Sequence, residues 1–150
     1  MTHYMRKEGI FFDLTEEYAV PPEPEKNESF SLKLRTAADA DLCVECVLRD
    51  EVPVRMSRIF SDTEFSVYEV TLTAKPPSVC FCFRISDAEE TVYYNHLGVS
   101  HEHCREYDFV IYPGFSVPEW AKGKIIYQIF PDRFCKSREN CQNGPALLRC

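Results

Sequence analysis

The stretch V-C-F-C-F-R-I, residues 79–85, alternates between two kinds of side chain and decides the fold class. Its apolar positions are Val79, Phe81, Phe83 and Ile85, and the positions between them are Cys80, Cys82 and Arg84. Because successive side chains of a β-strand point to opposite faces, this pattern predicts a strand with one face turned to a core. The turn-forming sequence K-P-P precedes the stretch and Ser-Asp follows it, so the strand is bounded on both sides.

The same period of two recurs along the chain up to residue 115. Predicted strands lie in 8–14, 30–35, 42–48, 54–60, 65–72, 92–94 and 107–112, and a proline-rich acidic connector occupies 21–29. No segment in this part of the sequence sustains the 3.6-residue period of an amphipathic helix. Short strands at such spacing are typical of two packed antiparallel sheets, so we predict an all-β, immunoglobulin-like antiparallel β-sandwich.

The character of the sequence changes after Pro113-Gly114. The segment P-E-W-A-K-G at 118–123 predicts a helical turn that begins at Pro118. The segment that follows, K-I-I-Y-Q-I-F-P-D-R-F at 124–134, is apolar almost without interruption, which is typical of a strand buried on both faces in a parallel sheet. We therefore predict a β-sandwich domain in 1–117 and a separate structure in 118–150.

Charge and hydropathy exclude several classes of function. The chain has 150 residues, 24 of them acidic and 17 basic, and a formal net charge of −7. Without a basic stripe to neutralise phosphates, we expect no nucleic-acid partner and no attraction to an anionic membrane. No run approaches the ~18 apolar residues of a membrane span, and no secretory signal is visible, so we expect a cytoplasmic protein.

The eight cysteines are expected to be reduced thiols, because an even count without a secretory signal gives little support for a disulfide framework. Cys43 and Cys46 form a C-x-x-C within a strand-like run, and residues three apart on a strand point to opposite faces, so the pair does not converge on zinc. The alternative metal cluster is His96, His101, His103 and Cys104. Because no second group with ligand spacing accompanies it, we expect no bound metal and no cofactor.

The segment that begins at Pro118 also resembles a known family. The sequence P-E-W-A-K-G-K-I-I-Y-Q-I-F-P-D-R-F, 118–134, closely resembles the linker and first barrel strand of the neopullulanase, cyclomaltodextrinase and maltogenic amylase group. These are glycoside hydrolases of the α-amylase family. The segments S-F-S-L-K-L-R-T-A-A-D-A-D (29–41), K-P-P (75–77) and Y-Y-N-H-L-G (93–98) are similar to their N-terminal β-sandwich, carbohydrate-binding module family thirty-four. The resemblance extends over about residues 8–134.

The resemblance implies an N-terminal accessory domain of an intracellular hydrolase of maltooligosaccharides, cyclodextrins or pullulan, followed by a truncated stub of a (β/α)8 barrel. The motif of the first barrel strand is represented by Tyr127, Gln128, Pro131, Asp132, Arg133 and Phe134. The family uses the positions of Asp132 and Arg133 structurally. Its pair of catalytic carboxylates lies on later barrel strands, so we expect no catalytic residue and no hydrolase activity from this chain alone.

One departure from the family concerns a metal. The family follows the first barrel strand with a loop rich in Asn and Asp that binds calcium through oxygen ligands. Here the corresponding residues are Cys-Lys-Ser-Arg at 135–138. Calcium is therefore not expected at this place.

Carbohydrate sites use aromatic faces with flanking polar groups. Aromatic candidates for sugar contact are Tyr93, Tyr94, Tyr107, Phe109, Tyr112, Phe115 and Trp120, and of these we predict Tyr93, Tyr94, Tyr112 and Trp120 as the sugar-contacting residues. The partners that the resemblance implies are α-glucan oligosaccharides and a second copy of the chain in a homodimer. The family loop that reaches across that dimer corresponds to 48–53, which carries no aromatic residue here. A free-standing glycan-binding module and a protein-interaction sandwich remain alternatives.

Overall fold

The computed structural model describes residues 9–38, 42–125 and 128. The chain divides into two compact units, Met1–Ser116 and Val117–Cys150. In the described residues the strands are β1 (Ala19–Val20), β2 (Ser29–Ala37), β3 (Cys43–Leu48), β4 (Val54–Arg55), β5 (Ser57–Ser61), β6 (Phe65–Thr73), β7 (Val79–Ser86), β8 (Thr91–Asn95), β9 (Gly98–Ser100) and β10 (Phe109–Ile111). All ten belong to the first unit, and every pairing is antiparallel. The predicted all-β antiparallel architecture is confirmed.

The smaller sheet has four strands in the order β1-β2-β6-β5. Its centre is the long pairing of β2 with β6, which runs from Ser29 opposite Thr73 to Ala37 opposite Phe65. Alternation along both strands buries one face of this pair, as the sequence predicted. The edge strand β5 is exposed along its whole length and carries a register shift between Arg58 and Phe60.

The larger sheet has six strands and is organised around β7. One edge of β7 pairs with β3 over Phe81–Ser86. The other edge pairs with β8 over Phe83–Ser86 and with β10 over Val79–Phe81. The change of neighbour therefore falls at Cys82, whose side chain points away from the core.

A cluster of phenylalanine rings fills the space between the sheets. The ring of Phe12 lies edge-on to three others, with centroid distances of 5.8 Å to Phe81, 4.9 Å to Phe83 and 4.8 Å to Phe109. Phe12 is 4% exposed, and it belongs to no strand. Edge-to-face contacts of this kind add to the free energy gained from burying the rings. Phe12 thus joins the N-terminal segment to the central strand of the larger sheet.

The prediction of a strand at 8–14 is wrong for residues 9–14, the part of this segment that the structure describes. From Gly9 onwards this segment makes only an isolated bridge between Phe11 and Arg35. The Asp13 carboxylate accepts hydrogen bonds from the backbone N–H and the hydroxyl of Thr15, at 3.0 Å and 2.5 Å. This local turn ends the extended segment before a ladder can form. Apart from that bridge, the chain joins the smaller sheet at β1, which is too short to show a period of two.

Two further predicted strands have different bounds in the structure. The segment 54–60 is divided at Met56, because β4 pairs in the larger sheet and β5 in the smaller one. Met56 is buried and donates its N–H to the Val44 carbonyl at 2.9 Å, which marks the crossing between sheets. The segment 107–112 is shortened to β10 because Arg105–Tyr107 forms a 3-10 turn. The sequence also missed β9, which has only three residues.

In the second unit the described residues begin with the predicted turn. The Ala121 N–H donates to the Pro118 carbonyl at 2.8 Å, and Lys122 pairs with Glu119 at 2.9 Å. Gln128 is described and exposed. The other motif residues of the expected barrel strand, Tyr127, Pro131, Asp132, Arg133 and Phe134, lie outside the described residues, so that interpretation stays a prediction. Among the described residues no helix is long and apolar enough to cross a membrane.

Replacing Phe12 with alanine tests the phenylalanine cluster. Phe12→Ala removes a buried ring that contacts three others, and we expect the free energy of unfolding to fall by about 3–5 kcal/mol. Urea denaturation followed by circular dichroism measures this change. The control is Phe60→Ala, since Phe60 is 48% exposed and its removal should cost less than about 1 kcal/mol. Equal losses in the two variants would contradict the central role of Phe12.

Deleting residues 118–150 tests the predicted domain boundary. The described core residues lie between Ile10 and Ile111, so the sandwich is expected to fold without the second segment. The shortened chain should unfold in one cooperative transition, with a free energy of unfolding within about 1 kcal/mol of the full chain. Loss of the transition would show that the segment beyond residue 117 contributes to the sandwich.

Candidate functional site

Four connections meet at one end of the sandwich, which we call the loop end: 21–28, 49–53, 74–78 and 112–116. Strand pairing brings them together, because β2 begins opposite the last residue of β6 and β10 ends opposite the first residue of β7. Backbone hydrogen bonds then join the connections, from Asn27 to Ala74 at 2.9 Å and from Gly114 to Pro24 at 2.9 Å. Loops gathered at the end of a sandwich are a common place for ligand contacts.

A cleft of ≈ 440 Å³ opens at the loop end, between the end of β6 on one sheet and the ends of β3 and β7 on the other. Its lining consists of Leu48, Arg49, Asp50, Glu51, Val54, Thr71, Leu72, Thr73, Lys75, Ser78, Val79 and Cys80. Lys75 Nζ lies 2.7 Å from Glu51 Oε1, and both side chains are well exposed. An exposed ion pair contributes little to stability, so these charged groups can exchange partners with a polar ligand at low cost.

The polar side chains of this lining include both hydrogen-bond donors and hydrogen-bond acceptors. It offers three hydroxyl groups together with the guanidinium, ammonium and carboxylate groups of the two connections. The Arg49 guanidinium donates from Nη2 to the Arg105 carbonyl at 3.2 Å, which ties its side chain to the 3-10 turn before β10. Hydroxyls both donate and accept, whereas Arg and Lys only donate and carboxylates only accept. The cleft can therefore satisfy a ligand that carries many hydroxyl groups.

The turn 112–115, one of the loop-end connections, carries two exposed aromatic side chains. The side chains of Tyr112 and Phe115 are 60% and 64% exposed. The Phe115 N–H donates to the Tyr112 carbonyl at 3.1 Å and closes the turn. Gly114 has φ +74°, and a Cβ there would lie 3.2 Å from two carbons of the Lys26 side chain. The positive φ is what favours glycine here, and the turn lies close to the connection that carries Glu25 and Lys26.

Tyr93 and Tyr94 point to opposite faces of β8. Tyr93 lies on the outer face of the larger sheet, where its ring stacks on His103 with centroids 5.3 Å apart and planes at 12°. Tyr94 points inwards and packs against Phe109 at 5.9 Å. Burial raises the pKa of the Tyr94 hydroxyl above its usual value, partly offset by a hydrogen bond with the backbone of Phe12. Neither ring has the free face that Tyr112 presents.

The four predicted sugar-contacting residues do not form one group within the first unit. Tyr93 is paired with Arg84, and Tyr112 follows the partner of Val79, so the two lie roughly 15–20 Å apart along β7. Trp120, the fourth candidate, belongs to the second unit and is 74% exposed. Phe115 lies on the same turn as Tyr112, so it is better placed than Tyr93, Tyr94 or Trp120 to form one sugar-contacting surface with it. Its position after a Pro-Gly turn is the sequence signal that could have joined the two.

The described cysteines are free thiols: Cys43, Cys46, Cys80, Cys82 and Cys104. Cys43 is half-buried whereas Cys46 lies in the core, so the two point to opposite faces of β3, as the C-x-x-C spacing predicted. Burial raises the pKa of the Cys82 thiol to about 12, and the nearby Asp108 carboxylate contributes in the same direction. The thiol is therefore protonated at neutral pH.

The group of possible metal ligands in the structure differs from the histidine and cysteine cluster that the sequence suggested. Of the four residues that the sequence grouped, His103 is the one whose donor atom meets other metal-ligating groups in the described chain, namely Cys82 and Asp108. The three donor atoms lie within 4.8 Å of one another. Sequence reasoning missed Cys82 and Asp108 because they come together only when β10 pairs with β7. The outward position of Cys82 in the alternating stretch was the available signal.

Known proteins resemble this chain in both sequence and structure. Amylopullulanase from Thermoanaerobacterium thermosulfurigenes is 30% identical over 112 residues, which is 68% of this chain and 6% of the relative. Neopullulanase 2 from Thermoactinomyces vulgaris is 35% identical over 80 residues, 49% of this chain and 14% of the relative. Intracellular maltogenic amylase from Bacillus subtilis is 29% identical over 77 residues, 45% of this chain and 13% of the relative. The chain thus spans less than a sixth of the length of each.

The fold and the family follow from two further comparisons. A solved cyclomaltodextrinase matches 83% of this chain and 23% of its own with a TM-score of 0.60 at 21% identity, which confirms the fold. The family model described as the alpha amylase N-terminal ig-like domain matches residues 5–114. That match covers the whole described sandwich, from the segment before β1 to the turn after β10. The chain therefore belongs to the family of α-amylase N-terminal immunoglobulin-like domains.

Proposed function

We propose that this domain is an accessory domain of an α-amylase-family glycoside hydrolase and that it binds α-glucan oligosaccharides at its loop end. The observation that carries the proposal is that two exposed aromatic side chains, Tyr112 and Phe115, belong to the same loop end as the polar cleft. Family membership supports the choice of ligand, because the relatives are named for pullulan and cyclomaltodextrin, which are α-glucans. We propose no catalytic step for this chain, since in the resembling enzymes the carboxylates belong to later barrel strands.

The two parts of the loop end suit the two kinds of surface on a glucose ring. The C–H face of the ring is apolar and stacks on an exposed aromatic side chain, which removes both surfaces from water. The hydroxyl groups at the ring edge need hydrogen-bond partners, and Arg49, Glu51 and Lys75 line the adjacent cleft. Apolar contact thus supplies most of the free energy of binding, and the polar groups set the orientation.

The predicted residues contribute unequally to this proposal. Tyr112 is central, and Trp120 is a second exposed ring, in the other unit. Tyr93 and Tyr94 are less suited to stacking because their rings already pack against His103 and Phe109. We also propose a cytoplasmic location, in agreement with the free thiols of the described cysteines and with a relative named as intracellular.

Titration with maltooligosaccharides tests glucan binding. Replacing Tyr112 and Phe115 together with alanine removes both stacking surfaces, and we expect the dissociation constant to rise roughly tenfold or more, equivalent to about 1.4 kcal/mol. Isothermal titration calorimetry on the full chain measures this. The matched control is Tyr107→Ala, because Tyr107 is 44% exposed but lies on the 3-10 turn before β10, outside the loop-end connections.

Two results would contradict the glucan proposal. The first is a native chain that binds no maltooligosaccharide and no cyclodextrin at millimolar concentrations, which would favour a protein-interaction domain. The second is an equal loss of affinity in the double variant and in Tyr107→Ala, which would place the sugar elsewhere on the sandwich.

We further propose that the domain forms a homodimer through the edge strand β5. All five of its residues are exposed, and Ile59 and Phe60 are 50% and 48% exposed. An edge strand presents backbone N–H and C=O groups that can pair with another strand. An antiparallel pairing of two identical edges is self-complementary about a two-fold axis, so a second copy of the chain is a suitable occupant.

Sedimentation velocity tests this dimer. Ile59→Lys places a charge opposite its own copy across the two-fold axis, and we expect the dimer dissociation constant to rise at least roughly tenfold, a loss of about 1.4 kcal/mol. The control is Leu97→Lys, because Leu97 is 52% exposed in the turn between β8 and β9 of the other sheet. A purely monomeric native chain, or an equal effect of both variants, would contradict the proposed interface.

A further inference from the structure

The connection between β9 and β10 covers part of the outer face of the larger sheet. Its residue His103 stacks on Tyr93 and reaches Cys82 on the neighbouring strand. The connection is anchored at two further points, from Asn95 Nδ2 to the Cys104 carbonyl at 3.0 Å and from the His96 N–H to the Tyr107 carbonyl at 2.9 Å. Asn95 itself is 2% exposed. Both anchors lie on the C-terminal side of His103, and they fix the path of the connection beyond the ring.

Three side-chain atoms that can each bind a metal ion lie close together under this connection: a sulfur, a nitrogen and an oxygen. His103 Nε2 lies 3.3 Å from Cys82 Sγ and 2.8 Å from Asp108 Oδ1. Cys82 is fully buried, and the Asp108 side chain is 2% exposed. One ring nitrogen thus faces a buried thiol and a buried carboxylate at the same time. Because that nitrogen carries at most one hydrogen, it cannot donate to both neighbours.

We propose that Cys82, His103 and Asp108 form a binding site for a divalent transition-metal ion, with zinc as the best match. A sulfur, an imidazole nitrogen and a single carboxylate are the ligand types that zinc takes in proteins, whereas calcium and magnesium require sets of oxygen ligands. A thiolate and a carboxylate would also balance the two positive charges of the ion. This proposal departs from the expectation, drawn from sequence, that the chain holds no metal.

The distances agree with a tetrahedral zinc site after small adjustments. Ordinary zinc–ligand bonds separate a nitrogen from an oxygen ligand by about 3.4 Å and a sulfur from a nitrogen ligand by about 3.6 Å. The corresponding distances here are 2.8 Å and 3.3 Å. The ligands need to move apart by roughly 0.6 Å and 0.3 Å, which a loop-borne His103 can provide. On binding, the metal–sulfur bond forms and the thiol proton is released to solvent.

The fourth ligand of the proposed site would be a water molecule. His103 is the most accessible of the three protein ligands, with 20% of its side chain exposed. Three protein ligands and one water are the arrangement of an open zinc site. The stacked Tyr93 ring and the anchored connection hold His103 in place, which is the usual role of groups around metal ligands. The site is independent of the glucan proposal, because none of its residues lines the cleft or the aromatic turn.

Cobalt titration of the reduced full chain tests the site with the metal alone. We expect the chain to bind one Co²⁺ ion and to show thiolate-to-cobalt charge-transfer absorption. One equivalent of zinc should displace the cobalt and abolish this absorption. Four other cysteines could bind metal independently, so the titration is carried out in a Cys104→Ser, Cys135→Ser, Cys141→Ser, Cys150→Ser background. Zinc should also raise the thermal midpoint of this chain, since it binds the folded state.

Substitution of the three ligands separates this site from adventitious binding. We expect Cys82→Ser to abolish the charge-transfer band, and His103→Gln and Asp108→Asn to weaken zinc binding roughly a hundredfold or more. The matched controls are Cys80→Ser, on the same strand and face, and His101→Gln, on the same connection. His103→Gln is the decisive variant because His103 is partly exposed, and circular dichroism establishes that it is folded.

Three outcomes would overturn the proposal. The first is a chain that binds neither cobalt nor zinc, which would leave a structural hydrogen bond between His103 and Asp108. The second is a charge-transfer band that persists in Cys82→Ser. The third is a loss of binding in the control variants as large as that in His103→Gln.

Discussion

The structure depends on the pairing of β7 along both of its edges. This strand hydrogen-bonds to β3 on one side and to β8 and β10 on the other, and its inner face carries Phe81 and Phe83. Phe12 and Phe109 close over those rings from two distant parts of the chain. Removing β7 would leave the larger sheet without its centre and the phenylalanine cluster without its base. A strand with two paired edges and one apolar face therefore determines the position of every other element in that sheet.

The same constraint decides which residues lie on the outer face of β7. Side chains must alternate, so the residues that face away from the phenylalanine cluster include Cys82 and Arg84. Arg84 pairs with Glu45 across the sheet at 2.6 Å, which satisfies its charge. Cys82 is instead covered by the connection that must pass from β9 to β10, and this brings His103 and Asp108 to its sulfur. The loop end depends equally on β7, since its first residue is paired with the residue that precedes Tyr112.

Long strands with one buried face were predictable, and short or locally interrupted ones were not. The alternation of apolar and polar residues located β2, β6 and β7 almost residue by residue, because burial of one face imposes a period of two. The same signal failed at 8–14, where a local turn at Asp13 ends the extended segment after a single bridge between Phe11 and Arg35. It also failed at Met56, where apolar residues continue while the chain passes from one sheet to the other. In the first place a side-chain hydrogen bond within the turn decided the backbone, and in the second place a change of partner strand decided it.

The sequence by itself determined the all-β class, the inward and outward faces of the main strands, and the resemblance to the α-amylase enzymes. These properties depend on local periodicity and on contiguous motifs, which are visible without knowledge of the partners of each strand. The tertiary structure alone decided which distant residues meet. The turn at Gly114 lies against the connection at Glu25 and Lys26, and Cys82 lies against His103 and Asp108. The physical reason is that strand register and loop path are set by packing between segments 20 or more residues apart, which no local pattern encodes.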